Sequence, residues 1–344
     1  MKVLILGGTG VISREIVRQL LARGNEVAVF NRGSKALPFA KDVEQLVGDR
    51  MRRDEFEAAM QRTRYDVVID MICFTADDAR STARAFGGNA GHLVVTSSIA
   101  AYKRPYRSVP TVEAMETLWD DPAFPYAFNK AEMEKELWKS IRQDKLPITI
   151  VRPSLTYGPG AANIGVLRQN FGIVDRIRRC KPLVMFGDGS TSWTFTFVPD
   201  LAKAFVAIAG NAKTFGEDYH VTGDECCIWE DLYREFGRLV GRAPKIVHIP
   251  SELLYSAAPR LCSHLYFEKT YAGLFDNSKL RSAVPGFKAD ISLHEGLKSI
   301  LAWYEAEAHT ADPEKDALED CLVALYDDFA AKMKDLYVKS SAPR

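Results

Sequence analysis

Short apolar runs alternate with amphipathic stretches along the first half of the chain. The runs lie at 3–6, 26–30, 66–70, 92–96 and 148–152. Because most of their residues are apolar on both sides of the strand, they are typical of parallel strands that helices cover on two faces. Helices are predicted between them at 14–23, 53–62, 76–86 and 126–142. In the first of these helices, Ile16, Val17 and Leu20 lie on one face at helical spacing.

This order of strands and helices predicts an α/β fold with a Rossmann-type, doubly wound parallel sheet. We assign residues 1–160 to that domain and expect 196–215 to return to it. Beyond residue 160 the alternation weakens, because glycine, proline and aromatic residues separate shorter elements. Residues 161–344 are therefore predicted to form mainly a smaller C-terminal α/β domain.

The last segment of the chain predicts a long amphipathic helix. Asp312 and Pro313 suit its N-cap and its first turn. Apolar residues then follow at separations of three and four, namely Leu318, Leu322, Leu325, Phe329, Met333 and Leu336. We expect this apolar stripe to pack on its own domain, and pairing with a partner helix is the alternative.

Composition and charge argue against several classes of protein. The 344 residues include 45 basic and 45 acidic side chains, so the formal net charge is zero. A balanced charge argues against a main role in binding nucleic acid or an anionic membrane. No apolar run approaches the roughly 20 residues that span a bilayer, and the first residues lack the core of a signal peptide. The sequence therefore predicts a cytoplasmic protein with neither a nucleic acid nor a membrane as its partner.

Cysteine and histidine residues predict no metal site. The six cysteines and six histidines are scattered, and they show neither metal-ligand spacing nor the spacing of a disulfide framework. Free thiols in a reducing compartment are therefore expected.

A glycine-rich turn between the first strand and the first helix indicates a dinucleotide site. The segment contains Gly7, Thr9, Gly10, Val11 and Ile12. Gly7 permits a tight turn, and Gly10 lets a pyrophosphate approach the backbone. The helix N-terminus then offers N–H groups and the positive end of its dipole to the phosphates. A strand, this turn and a helix in succession are the context that the phosphate-binding mechanism requires.

The end of the second strand indicates which dinucleotide binds. An NAD site normally has an acidic residue there, which accepts hydrogen bonds from the ribose hydroxyls. This chain has Asn31 and Arg32 instead. With no carboxylate to repel a 2′-phosphate, Arg32 can pair with it, so NADP is the preferred cofactor and NAD the alternative. Asp49 is a candidate for binding the adenine amino group, and a loop-capping role is its alternative.

Tyr126 and Lys130 are the candidate catalytic pair. Residues four apart share one face of a helix, so the phenol and the ammonium can reach one reaction centre. A nearby cation favours the phenolate, which a general acid or base needs. Ser98 follows the fourth recognised strand, at the carboxyl edge of the sheet where ligands bind in this architecture. It can hold the substrate oxygen that Tyr126 protonates or deprotonates, and a helix cap or turn is its alternative role.

Together these motifs resemble the extended short-chain dehydrogenase/reductase family, whose best known members are NAD(P)-dependent sugar-nucleotide epimerases and dehydratases. The similarity runs through nearly the whole chain and includes 152–159, 186–189, 198–200, 219–224 and 275–279. It implies a Ser–Tyr–Lys catalytic set at Ser98, Tyr126 and Lys130. It also implies a C-terminal domain that binds a sugar or sugar derivative, and commonly a homodimer.

Departures from the family pattern concern the substrate. Leu155 stands where nucleotide-sugar members usually have an asparagine, and Trp193 stands where they tend to have an arginine, both of which contact substrate phosphates. Trp193 can instead stack on a sugar ring, or it can be a core residue at a domain interface. Ile99 and Ala100 replace acidic residues of the dehydratase members, so a dehydratase is not expected.

The expected function is an NAD(P)-dependent epimerase of a sugar or a nucleotide sugar, or a related carbonyl or hydroxyl oxidoreductase. One alternative is an NADPH-dependent reductase of a non-nucleotide substrate. Another is a non-catalytic member of the same superfamily that senses dinucleotides or binds RNA. The presence of both Tyr126 and Lys130 favours an enzyme.

Overall fold

The computed structural model describes residues 1–37, 39–161 and 163–340. Within these ranges the strands are β1 (Lys2–Leu6), β2 (Glu26–Asn31), β3 (Glu44–Val47), β4 (Val67–Asp70), β5 (Leu93–Thr96), β6 (Ile148–Pro153), β7 (Leu155–Tyr157), β8 (Pro182–Phe186), β9 (Ser192–Trp193), β10 (Phe195–Phe197), β11 (Asp218–Val221), β12 (Cys227–Ile228) and β13 (Lys245–Ile249). The α-helices are α1 (Val11–Ala22), α2 (Arg53–Met60), α3 (Ala76–Phe86), α4 (Pro125–Gln143), α5 (Phe171–Arg178), α6 (Val198–Ile208), α7 (Trp229–Val240), α8 (Ser251–Ala257), α9 (Pro259–His264), α10 (Ser278–Ala283), α11 (Leu293–Ala306) and α12 (Pro313–Ser340). Short 3-10 helices lie at Ile99–Ala101, Glu113–Met115 and Ala212–Thr214, and a π-helical turn lies at Leu265–Lys269.

Seven strands form the central sheet, in the order β11-β6-β5-β4-β1-β2-β3. Neighbouring strands are parallel throughout. This arrangement confirms the predicted Rossmann-type parallel sheet. The first helix begins at Val11 rather than at residue 14, because Gly10 is its N-cap and the glycine turn runs directly into it.

The central sheet is apolar on both faces, and a separate hydrophobic core covers each face. On one face Ile5 packs with Ile16 of α1 and with residues of α6. On the other face Leu4 packs with Phe56 of α2 and Leu137 of α4. Successive residues of a strand point to opposite faces, so the continuous apolar runs of the sequence supply both cores.

The chain divides into two compact units. The first comprises Met1–Gly158, Thr194–Cys226 and Gly273–Ser292, and the second comprises Pro159–Trp193, Cys227–Ala272 and Leu293–Arg344. Residues 196–215 lie in the first unit. Residues 273–292 also lie in the first unit. Their attachment is a set of hydrogen bonds such as Thr111 N to Leu274 O at 2.8 Å and Asn277 Nδ2 to Thr222 O at 2.9 Å.

Strand β11 also belongs to the first unit, where it forms one edge of the central sheet. No strand was predicted here from the sequence, in which the polar residues Asp218 and His220 alternate with Tyr219 and Val221. In the structure both residues pair with β6, and His220 lies beside Arg152 in the ladder. A strand is difficult to identify from its apolar pattern when it contains polar side chains whose hydrogen-bond partners lie far away in the chain.

The second unit contains two small strand pairs and most of the later helices. Strand β8 pairs with β13 in parallel, and β9 pairs with β12 in antiparallel orientation. Helix α12 begins at Pro313, and Asp312 Oδ1 accepts a hydrogen bond from Glu314 N at 3.0 Å. The predicted N-cap at Asp312 is therefore confirmed.

In the described part of the chain, no helix combines the length and the apolar character that crossing a bilayer requires. The same residues contain no group of three or more histidine, cysteine, aspartate or glutamate side chains that could hold a metal ion.

Candidate active site

The turn between β1 and α1 is built from glycines with positive φ. Gly7 has φ 117° and Gly8 has φ 81°, a region that other residues rarely adopt. A Cβ atom at Gly8 would lie 2.2 Å from Cγ1 of Val29, so only glycine fits there. The sequence predicted a tight turn at Gly7 but not the steric requirement at Gly8. That requirement depends on how closely β2 passes the turn.

Gly10 ends the turn as the N-cap of α1, with its backbone exposed. The buried Ser13 hydroxyl donates a hydrogen bond to Gly10 O at 3.1 Å and accepts one from Gly10 N at 3.0 Å. N–H groups of the first helical turn, including those of Val11 and Ile12, have no partner within a helix. The turn therefore fits a dinucleotide pyrophosphate, and contacts to Thr9, Val11 and Ile12 stay predictions.

Asn31 ends β2 with one atom of its amide group anchored and the other unpaired. Its Oδ1 accepts hydrogen bonds from Gly33 N at 2.8 Å and from Gln45 Nε2 at 3.0 Å. Its Nδ2 is buried and has no hydrogen-bond partner among the described residues. A buried donor without a partner is unfavourable, and an oxygen of a ribose or its phosphate could accept from it. This strand end therefore fits the ribose of a dinucleotide.

Arg32 and Asp49 are the other two residues predicted near the ribose and adenine. Arg32 is exposed and forms no ion pair within the described ranges. Asp49 is half-buried, and its Oδ1 accepts a hydrogen bond from Met51 N at 2.9 Å. The loop-capping role of Asp49 is thus observed. Binding of the adenine amino group falls to its second carboxylate oxygen and stays a prediction.

Lys130 lies buried at the carboxyl ends of two central strands, with 2% of its surface exposed. Its Nζ donates hydrogen bonds to Cys73 O, just after β4, and to Thr96 O, at the end of β5, each at 2.7 Å. The ring centroid of Phe74 lies 4.7 Å from Nζ. Burial lowers the pKa of Lys130 to about 8. The ammonium is therefore held in place by two carbonyl groups.

Tyr126 lies one turn before Lys130 on α4 and is accessible. It is 47% exposed, and its ring centroid lies 6.5 Å from that of Phe124. Pro125 begins the helix, where its missing N–H costs no hydrogen bond. Since residues four apart share a helix face, the exposed phenol and the buried ammonium lie on one side of α4.

Ser98 caps the 3-10 helix at Ile99–Ala101. Its Oγ accepts a hydrogen bond from Ala100 N at 3.2 Å, so the capping role is observed. Ser98 follows Thr96 by two residues, which brings it to the same strand end that Lys130 binds. A hydroxyl that accepts one hydrogen bond can still donate its proton. A catalytic role for Ser98 is compatible with its cap and stays a prediction.

A buried ion cluster on α4, β6 and β11 was missed by the sequence analysis. Glu134, one turn after Lys130, accepts hydrogen bonds from Arg152 Nε at 2.8 Å and Nη2 at 2.5 Å. Arg152 Nη1 donates to Asp218 Oδ2 at 2.5 Å, and Ser97 Oγ donates to Glu134. The four-residue spacing of 126, 130 and 134 is the signal that could have identified Glu134. The cluster joins the helix of the candidate catalytic residues to β6, to β11 and to Ser97, the residue after β5.

Tyr102 and His220 extend this cluster within the first unit. Tyr102 Oη accepts a hydrogen bond from Arg152 Nη1 at 2.7 Å and lies 2.7 Å from His220 Nε2. Burial lowers the pKa of His220 to about 3, and burial raises the pKa of Tyr102 well above its ordinary value. Both side chains are therefore uncharged at neutral pH. His220 N also donates to Glu113 Oε1 at 2.8 Å, so this group of residues has a structural role.

Trp193 is buried, which agrees with the core role and not with stacking on a sugar ring, the two alternatives that the sequence left open. Its side chain is 0% exposed, its ring centroid lies 5.7 Å from that of Trp229, and Lys269 Nζ lies 4.2 Å from the ring centroid. No face of the indole is open to a substrate in this structure. Leu155 is half-buried in β7 beside Phe195 of β10, and it stays a candidate substrate contact.

Comparisons with known proteins place these features in context. Residues 3–222 match the model of the NAD dependent epimerase/dehydratase family. The chain is 26% identical over 252 residues to 2'-dehydrokanamycin reductase of Streptomyces kanamyceticus, an alignment that covers 73% of this chain and 70% of that protein. It is 26% identical over 315 residues to chloroplast stem-loop binding protein of 41 kDa b of Arabidopsis thaliana, with 86% and 77% covered.

The solved structures include one of UDP-glucose 4-epimerase from Thermotoga maritima with UDP-glucose. It matches with a TM-score of 0.72 and 17% sequence identity, over 90% of this chain and 100% of that one. This likeness shows that the two chains share a fold.

Replacing Glu134 tests the buried ion cluster. In Glu134→Ala the Arg152 guanidinium keeps its burial but loses two hydrogen bonds to the carboxylate. We expect the free energy of unfolding to fall by about 3–5 kcal/mol in urea titrations. The matched control is Glu132→Ala on the same helix, where an exposed pair with Lys135 is lost and we expect a change of at most about 1 kcal/mol. Equal effects of the two substitutions would contradict the assignment.

Proposed function

The chain belongs to the NAD dependent epimerase/dehydratase family, and we propose that it is an NAD(P)-dependent epimerase or oxidoreductase of a sugar or sugar derivative. Tyr126, Lys130 and Ser98 are the proposed catalytic residues. The observation that carries the proposal is the position of Lys130. Its buried ammonium is fixed by Cys73 O and Thr96 O at the carboxyl ends of the strands, one turn from an accessible phenol.

In this proposal Tyr126 moves the proton of the reacting oxygen. As an acid it gives its phenolic proton to a carbonyl oxygen, and as a base it takes the proton of a hydroxyl. Lys130 favours the phenolate through its positive charge, and Ser98 donates a hydrogen bond that holds the substrate oxygen. When bound, the nicotinamide ring supplies or accepts the hydride. The same side chains therefore serve reduction, oxidation and epimerisation.

A sugar or sugar derivative is the proposed class of substrate. It is supported by the similarity to 2'-dehydrokanamycin reductase and by the shared fold with a UDP-glucose 4-epimerase. Leu155 and Trp193 replace the two polar residues that nucleotide-sugar members of the resembled family use for substrate phosphates. This difference favours a substrate without a nucleotide, reduced by NADPH, over a nucleotide sugar.

NADP is the proposed cofactor. The end of β2 has the amide of Asn31 in place of a carboxylate, and the unpaired Asn31 Nδ2 offers a donor to an acceptor oxygen. Arg32 is exposed and forms no ion pair with any residue that the structure describes, so its charge is available to a 2′-phosphate. NAD remains the alternative. A homodimer and a cytoplasmic location stay predictions from the sequence.

RNA binding is a second candidate function, because one relative is named as a chloroplast stem-loop binding protein and aligns with 86% of this chain. The net charge of zero argues against it, since binding to phosphates depends on basic side chains. This fold can serve either a catalytic or an RNA-binding function, so an experiment has to distinguish the two.

Removing the phenolic hydroxyl tests the catalytic assignment. We expect Tyr126→Phe to lower turnover by about 10²–10⁴-fold, because the proton donor is lost. Cofactor affinity, measured by quenching of NADPH fluorescence, should stay unchanged. Turnover is followed with keto sugars at fixed NADPH and with UDP-glucuronate at fixed NADP⁺. Tyr266→Phe, an exposed tyrosine of the second unit, is the control and should keep full activity. Full activity in Tyr126→Phe would rule out the mechanism.

Replacing Arg32 tests the choice of cofactor. We expect Arg32→Ala to weaken NADPH binding by about ten- to a hundredfold, the value of a lost charge-assisted hydrogen bond. NADH binding should change little, because NADH has no 2′-phosphate. Arg23→Ala, at the C-terminal end of α1, is the control for a lost surface charge. Calorimetric titrations of both nucleotides measure the effect, and tighter binding of NADH than NADPH by the unmodified protein would reject the NADP proposal.

RNA binding is tested by titrating a stem-loop RNA at 50 mM and 200 mM salt. For the proposed enzyme we expect no tight binding at either concentration. A protein that contacts six to ten phosphates would lose about 10³–10⁵-fold in affinity across this range. Tight RNA binding that weakens with salt in this way, together with unchanged turnover in Tyr126→Phe, would favour the RNA-binding function.

A further inference from the structure

The first half of helix α12 packs against other residues of the second unit. Within the second unit, Arg176 of α5 pairs with the carboxylates of Asp316 and Asp320 at 2.6 and 2.9 Å. Glu319 is fully buried and accepts a hydrogen bond from Val184 N at 2.6 Å. Leu322 is also buried. The expectation that the helix packs on its own domain therefore holds for this half.

The second half of α12 presents a continuous apolar surface to solvent. Leu325, Phe329, Met333 and Leu336 are 70%, 50%, 53% and 64% exposed. Their separations of four, four and three residues place them along one face of the helix. We call these four residues the α12 stripe. A contiguous row of exposed large apolar side chains marks an interaction surface, whereas single exposed ones are ordinary.

Charged residues beside the α12 stripe indicate how a partner helix would be oriented. Asp328 Oδ2 and Lys332 Nζ form an exposed ion pair at 2.6 Å, and the acidic residue precedes the basic one. A parallel copy would bring Asp328 against Asp328 and Lys332 against Lys332. An antiparallel copy centred near residues 330 and 331 brings Asp328 of each helix beside Lys332 of the other. Opposite charges at such flanking positions set partner orientation.

We propose that the α12 stripe docks a second copy of this chain, with the two helices antiparallel. In this register Leu325 of one copy lies level with Leu336 of the other, and Phe329 lies beside Met333. The contact does not depend on the proposed catalytic function.

The size and charge of the α12 stripe favour this partner and predict weak association. Four side chains from each copy bury less than the roughly 1,600 Å² of a standard interface, so the dimer should dissociate on dilution. A membrane is a poorer partner, because helices that lie on membranes have basic polar faces. This half of α12 is not basic, because it carries Asp327, Asp328 and Asp335 against Lys332, Lys334 and Lys339.

Sedimentation velocity of the full-length chain over a range of concentrations tests the docking. We expect the average mass of the unmodified protein to rise with concentration. In Phe329→Glu/Met333→Glu the dissociation constant of that step should rise at least tenfold. Leu253→Glu, an equally exposed leucine on α8, is the matched control and should leave it unchanged. The dissociation constant is measured for the association of the species that is present at high dilution. A dimer that forms tightly through another surface therefore does not interfere. An unchanged mass profile in the double variant would overturn the proposal.

A charge exchange tests the antiparallel orientation. Asp328→Lys and Lys332→Asp should each weaken association several-fold, because like charges then meet across the contact. The double variant Asp328→Lys/Lys332→Asp should restore it, with helix content followed by circular dichroism. Failure of the double variant to restore association at unchanged helix content would rule out the antiparallel copy. Binding of the α12 stripe to phosphatidylcholine or phosphatidylserine vesicles without self-association would also overturn the proposal.

Discussion

A buried guanidinium between two carboxylates determines where the candidate catalytic helix lies. Arg152 of β6 pairs with Glu134 of α4 and with Asp218 of β11. Burial alone would raise the pKa of Asp218, but the charges of Arg152 and Lys279 lower it to about 2. A charge buried without its partner is strongly destabilising, so α4 has to lie where Glu134 reaches Arg152. Lys130 and Tyr126, one and two turns earlier on α4, are positioned by the same constraint.

Local patterns in the sequence predicted the central sheet and much of the candidate site. The runs at 3–6 and 148–152 are apolar on both faces, and each became a strand with a core on either side. The glycine turn before α1 and the pair Tyr126 and Lys130 also depend on spacing within a few residues. Such features can be identified without knowing which distant segments meet.

Features that depend on distant segments were missed or misassigned. Glu134 has the appearance of one more surface carboxylate on a helix, and only the position of Arg152 shows that it is buried. Strand β11 contains Asp218 and His220, whose partners lie more than 60 residues earlier in the chain. Trp193 was open to two interpretations, and its contacts with Trp229 and Lys269 decide for the core. Likewise, the periodicity of α12 predicted its apolar stripe but not the point after Leu322 from which the apolar side chains are exposed.

The amide of Asn31 has a consequence for how this fold could change its cofactor during evolution. Two donors, Gly33 N and Gln45 Nε2, hold the amide oxygen, so the nitrogen alone is left for a ligand. Aspartate has the same shape as asparagine and would keep both anchoring bonds, while replacing that nitrogen by an oxygen. The remaining atom would then accept from ribose hydroxyls instead of donating, and it would repel a 2′-phosphate. A single-base change between the two codon families could therefore alter dinucleotide selectivity without moving the backbone.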